Sequence, residues 1–301
     1  EHNAKTFSIT ELKKADAVSA QKGHYAQTTG KVELAVGQTL FGIWTGGAIA
    51  DIADPDEQDS QIVVSFMALG GITGLSLGLG IGEKHAITTG QAMAVNYAET
   101  WGFANGALAL AFFDPNSERV FFTTLLGGSV VGLFSGIGIA GRYEPYPGQV
   151  AMTVSGAVWS SALTALMMGV INPQFEYSQQ VYASAYFASL NLGTLVFSQL
   201  AKSKPMSRAR VRMMDVSGIL GGLTGAAIGF VTKDGINSQN VEDRYFLSTI
   251  TLGTIIGLAS GIYLTEDYDV GTNENSASML PFISKGAHTT DPYVIGLQGS
   301  F

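Results

Sequence analysis

The carboxyl group of Glu99 and the amide of Asn96 are the side chains best placed for chemistry. Both fall inside a long, nearly charge-free run from Gln91 to Phe113 that also holds Asn105. A carboxylate in such a run could hold a proton or a cation away from water. It could also simply accept hydrogen bonds from Asn96, Thr100 or a neighbouring segment, and that plainer use is the one we expect. A second group is basic: Lys202, Lys204, Arg208, Arg210 and Arg212 crowd one connection. Such a cluster suits lipid headgroups, with a solvated loop as the ordinary alternative. Asp215 follows these arginines closely, and an ion pair with them is its expected role.

Other chemistries find no footing. His2, His24, His85 and His288 are scattered without ligand spacing, so no metal site is expected. The glycines from Gly70 to Gly82 lie inside an apolar run, not between a strand and a helix, so they do not read as a dinucleotide loop. With no cysteine, disulfides, thiolate sites and cysteine nucleophiles are excluded. The net charge of −8 argues against nucleic acid. No enzyme activity, cofactor or metal is expected; bound lipid is.

The elements that carry these residues repeat. Asp54-Pro55, Asp114-Pro115, Asn172-Pro173 and Asp234-Gly235 stand 60, 58 and 62 residues apart, each between two long uncharged stretches. Thr28-Thr29-Gly30-Lys31 and Thr88-Thr89-Gly90-Gln91 open the first two units, and Pro147-Gly148-Gln149 opens the third. Ser60 to Gly82, Val120 to Gly141 and Tyr245 to Thr265 are free of charge, and about 20 such residues cross a bilayer as a helix. Leu34 to Ala50, at 17 residues, is a weaker span. The chain of 301 residues has 38 glycines and only 13% charged residues, against about 25% charged in soluble domains.

The glycines are spaced for helices. Gly70, Gly74, Gly78 and Gly82 recur every fourth residue, as do Gly128, Gly132 and Gly136, and Gly253, Gly257 and Gly261. That step lines them along one helix face, where a second backbone can approach. The third unit keeps only Gly193, followed by the larger Phe197. Trp44, Trp101 and Trp159 recur in the first segments and are expected to pack.

The expected fold is therefore a mainly α membrane protein of four tandem helical hairpins, about eight transmembrane helices in all. Its units are 28–86, 87–144, 145–205 and 206–265. A polar arm, 1–27, precedes them. A polar linker and a strand-like tail, 266–301, follow, with Tyr293, Ile295, Leu297 and Phe301 alternating. The competing reading is a transmembrane β-barrel, because Leu75, Leu77, Leu79 and Ile81 alternate with small residues, as do Leu108, Leu110 and Phe112. Acidic residues gather at the corners within hairpins, while Lys84, Arg142 and the Lys202–Arg212 cluster lie on the opposite side. In an inner membrane the basic side would be cytoplasmic; in an outer membrane the acidic corners would face outward. The first residue, Glu1, is not Met, which we read as removal of a signal peptide or trimming.

The cysteine-free composition, the glycine-rich repeats over 28–265 and the terminal segment Tyr293 to Phe301 together resemble the PopA-type porin-like, lipid-trapping outer-membrane proteins. The resemblance implies a ring-shaped homo-oligomer in the outer membrane with lipid enclosed by its subunits. The expected function is thus a non-enzymatic, oligomeric protein of the bacterial envelope, in the outer membrane in preference to the inner, enclosing lipid or a pore. Two alternatives stand beside it: an inner-membrane transporter of a small molecule or ion with its site near Glu99 and Asn96, and an outer-membrane β-barrel porin.

Overall fold

A computed structural model describes residues 29–53, 60–113, 117–174, 176–203, 206–232, 239–268, 280–284 and 294–298. The polar arm, three of the four corners, Lys204, Tyr293 and Phe301 lie outside the described residues. Eight long helices carry the described chain: α1 (Thr29–Ala53), α2 (Ser60–Lys84), α3 (Thr89–Phe113), α4 (Glu118–Tyr143), α5 (Pro147–Ile171), α6 (Gln179–Ser203), α7 (Arg208–Thr232) and α8 (Gln239–Leu264). Two short strands, β1 (Leu280–Ser284) and β2 (Val294–Gln298), pair antiparallel with Phe282 opposite Gly296.

Each helix is 25 or 26 residues long, or roughly 38 Å, enough for a hydrocarbon core of about 30 Å. By length and composition α2, α4, α5, α7 and α8 can cross a membrane. The remaining three carry polar side chains along their length: Glu33 and Asp51 in α1, Asn96 and Glu99 in α3, Asn191 and Lys202 in α6. The chain is a mainly helical membrane protein. The barrel alternative does not hold here: Leu75 to Ile81 and Leu108 to Phe112 lie within α2 and α3. In an apolar run without water partners the backbone satisfies its own N–H and C=O groups, and a helix does so within one segment.

The unit openings work as caps. Thr88 and Gln91 form a reciprocal pair, with Gln91 N–H donating to Thr88 Oγ1 at 3.1 Å and Thr88 N–H donating to Gln91 Oε1 at 3.0 Å. This satisfies two N–H groups that the first turn of α3 leaves free. Ser207 caps α7 through the Arg210 N–H at 3.1 Å. Pro147 sits at the start of α5, where its missing N–H costs nothing. Glu144, at φ 42°, ends α4 in the left-handed conformation.

The closest packing is within sequential pairs, α1–α2, α3–α4, α5–α6 and α7–α8. In α1–α2 a Cβ on Gly42 would strike the carbonyl oxygen of Gly70, and one on Gly74 that of Gln38. In α3–α4 Gly102 meets Gly128, and Gly132 meets the Ala98 carbonyl. In α7–α8 Gly221 meets Gly253, and Gly257 meets the Ser217 carbonyl. Gly78, Gly82, Gly136 and Gly261 continue these contacts against Ala35, Lys31, Val95 and Ser217. The α5–α6 pair is looser: Gly156 takes the Phe197 ring, and Gly193 faces Ser160. Gly42, Gly102, Ser160 and Gly221 are therefore equivalent positions, 60, 58 and 61 residues apart.

Consecutive hairpins lie side by side. Helix α1 touches α3 and α4, α3 touches α5 and α6, and α5 touches α7 and α8. Small residues fill the contacts, while large apolar side chains such as Leu69, Val131, Phe134, Leu195 and Ile256 point outward, exposed. A soluble protein has the reverse arrangement, and this one suits lipid.

Two glycines of α4 test the account. Gly132→Ala should lower stability in detergent by about 1–3 kcal/mol, the usual cost of overpacking. Gly127, with nothing within 4 Å of the added carbon, should accept Ala with a gain of up to about 1 kcal/mol from helix propensity. Thermal or denaturant melts of both variants give the comparison; equal effects would remove the close-approach argument.

Candidate functional site

The polar residues of the helices collect where one hairpin meets the next. At the first seam Gln38 of α1 donates from Nε2 to Glu99 Oε2 of α3 at 2.8 Å and, more weakly, to Asn96 Oδ1 at 3.4 Å. Asn96 Nδ2 donates to the Glu33 carbonyl of α1 at 2.9 Å, and Thr100 donates back to the Asn96 carbonyl at 2.9 Å. Glu99 is buried, and its observed partner is the amide of a neighbouring helix. Gly37 stands opposite Asn96, where a Cβ would collide with the amide; the lack of a side chain there makes room for the polar group.

At the second seam Tyr97 and Thr194 hydroxyls lie 2.8 Å apart, and Asn191 Nδ2 donates to Asn105 Oδ1 at 2.8 Å. At the third, Ser155 Oγ and Trp159 Nε1 of α5 both donate to Asp215 Oδ1 of α7, the indole at 2.8 Å. This corrects the expectation for Asp215. Its partners are a hydroxyl and an indole from the preceding hairpin, not the arginines of its own helix. A half-buried carboxyl group held by two donors from the neighbouring hairpin helps fix the register between them.

The basic residues spread out. Arg208 reaches Glu33 Oε1 at 3.5 Å, Arg210 Nε donates to Thr265 Oγ1 at 3.3 Å, and Lys202 Nζ lies 5.5 Å from the centre of the Tyr143 ring. Arg208 and Arg212 border a groove of about 350 Å³ with Met93, Trp159 and Asp215. Among the described residues no cluster of acidic or histidine side chains could hold a metal ion. His85 follows α2; the other histidines lie outside the described residues. Trp44 packs edge-on against Phe103 at 5.0 Å between centroids.

Sequence reasoning passes over Gln38, Tyr97, Ser155, Asn191 and Thr194, as well as the glycines that answer the second-helix set from the first helices: Gly42, Gly46, Gly102, Gly106, Gly221 and Gly225. The glycines carried a usable signal, since each pair keeps the four-residue step and Gly42 and Gly102 are one repeat apart. The polar residues carried none, being pairs 56 to 97 residues apart. Compared with known proteins, the chain matches no family model, no curated protein and no solved structure.

Trp101 exposes an irregularity. Its indole nitrogen is the one buried side-chain polar atom without a partner among the described residues. Trp159, its equivalent one unit later, bonds Asp215, and the residue equivalent to Asp215 beside Trp101 is Val154. Val154→Asn should supply the acceptor and raise stability by about 0.5–1.5 kcal/mol. A changed Trp101 emission, read with Trp44 and Trp159 replaced by Phe, would register the new bond; no change in either quantity would count against the equivalence.

Proposed function

We propose that the protein is a non-enzymatic, oligomeric membrane protein of the bacterial envelope, built from four hairpins that cross the bilayer eight times and together enclose lipid or a pore. The single observation that carries this reading is the inverted packing. Backbones meet through glycine inside, and the large apolar side chains lie on the outer faces of helices long enough to span. The buried polar groups fit the same picture. Glu99 is held by Gln38 of the neighbouring hairpin, and Ser129, Thr153 and Thr251 bond carbonyls of their own helices, which is what a scaffold requires; a substrate site needs several such groups free.

The finer assignment follows from charge and ends. With eight crossings, Lys84, Arg142, Lys202 and Arg208 lie at one membrane face and the acidic corners at the other. The Arg208–Arg212 groove is suited to lipid phosphate. The PopA-type resemblance favours the outer membrane and a porin-like ring, and the hairpin of β1 and β2 gives the chain a strand-forming tail after the last helix. An inner-membrane transporter is the second reading, supported by one observation: Glu99 is a buried acidic side chain amid a polar network.

Native mass spectrometry of protein extracted in mild detergent is expected to give multiples of the chain mass with phospholipid retained. Lipid-free monomers would retire the proposal. Fractionation to the inner membrane, together with loss of solute uptake in Glu99→Gln, would move the assignment to transport.

A further inference from the structure

The first and third contacts between consecutive hairpins use equivalent positions. Leu34 of α1 packs on Ala92 and Val95 of α3 and on Ala140 of α4, with Leu133 alongside. Two units on, Met152 of α5 packs on Val211 of α7. Counted by the 60, 58 and 61 residue steps, Leu34, Ala94, Met152 and Met213 are one equivalent set, the projecting residue. Val32, Ala92, Val150 and Val211 are the other, the receiving surface.

Burial follows these sets until the row ends. Leu34, Ala94 and Met152 are at most 7% exposed, whereas Met213, in the last hairpin, is 40% exposed. Ala92, Val150 and Val211 are at most 5% exposed, whereas Val32, in the first hairpin, is 59% exposed. Leu75 of α2, the equivalent of Leu133, is likewise exposed. With Val32, Val36 and Leu79 it borders an apolar groove of about 320 Å³. One hairpin thus ends in an unused knob, and another begins with an unused socket of the same chemistry. The two hairpins already meet at one point inside the protomer, where Arg208 at the start of α7 lies 3.5 Å from Glu33 Oε1 of α1. Within one protomer that ion pair joins the two hairpins and leaves both apolar faces uncovered.

We propose that the fourth hairpin of one copy docks on the first hairpin of another, with Met213 entering the Val32–Leu75 groove, so that the hairpin row continues from copy to copy. The inference rests on the oligomeric reading above and gives it a junction. Such a contact is heterologous, joining different surfaces head to tail, and it closes into a ring when the rotation per copy allows.

The natural absence of cysteine makes the test direct. Val32→Cys and Met213→Cys alter residues exposed in the protomer, so folding should survive, and a disulfide forms only if the Cα atoms come within about 7 Å. Oxidising the double variant in membranes should give a ladder of dimers and higher species on a non-reducing gel. Mixed single variants should give dimers only. A control pairing Val32→Cys with Val231→Cys, near the far end of α7, should not cross-link. A fast-migrating monomer band alone would mean that the seam closes within one chain, which overturns the proposal. Oligomers by native mass spectrometry without the cross-link would overturn the junction and leave the oligomeric function standing, while monomers throughout would remove both.

Discussion

Backbone-to-backbone approach between the two helices of a hairpin is the constraint on which the rest of the structure depends. In lipid, apolar side chains gain nothing by leaving the solvent, so helices are held by van der Waals contact and hydrogen bonds. Contact of that kind grows steeply as backbones close, and only glycine lets carbonyl oxygens meet the facing Cα, as at Gly42 with Gly70, Gly102 with Gly128 and Gly221 with Gly253. The remaining architecture follows. Once paired this closely, two helices act as one rigid unit, and the chain has four units to arrange, not eight helices. The exception is informative: in α5–α6 the Phe197 ring lies where a backbone would otherwise approach, and that pair is the looser one.

Arranging the units is a different problem, solved by different residues. The faces between hairpins meet through glycine at their ends, where Gly30, Gly90 and Gly148 abut the backbone that opens the next unit, and elsewhere rely on small apolar clusters and on polar pairs. Each seam carries its own pair: amide with carboxyl at Gln38–Glu99, phenol with hydroxyl at Tyr97–Thr194, and carboxyl with indole and hydroxyl at Asp215. A repeated fold risks pairing the wrong units, because its apolar surfaces are alike. Distinct polar partners make an exchanged order leave buried Glu99 and the half-buried groups of the other seams unmatched, which disfavours it. We read the seam chemistry as this kind of address. It explains why Glu99, the group most suggestive of ion chemistry, is tied to an amide.

The sequence makes the first level of this organisation readable and hides the second. The hairpin period, the helical glycine step and the weakness of the third unit are all local patterns, set by residues four apart on one helix, and they can be seen without knowing what faces them. The first-helix glycines obey the same rule but are interrupted by larger residues, so their step stands out less. Polar pairing across a seam is non-local. Asp215 lies three residues from Arg212, and proximity along the chain suggests an ion pair; the helix instead directs it to Ser155 and Trp159, some sixty residues earlier. The strand alternation of Leu75 to Ile81 misleads for a related reason. Alternating glycine and leucine has period two, but glycine also falls at every fourth position, and the four-step is the one the backbone contacts use.

The ends of the row complete the logic. A soluble repeat protein must finish each end with a polar surface, because an unstacked repeat would expose apolar area to water. Here the first and last units do the opposite. Val32 and Val36 at one end and Met213 and Val216 at the other are apolar and uncovered, and a bilayer exacts no such penalty for leaving them so. Lipid therefore tolerates these uncovered faces, even with the Arg208–Glu33 ion pair joining the first and last hairpins, and it removes the pressure to cap them. What lipid cannot supply is the shape of the missing neighbour, which the chain already holds at its opposite end. In a membrane, a repeat array with uncapped ends of matching chemistry leaves on its outside the kind of surface that it uses between hairpins inside.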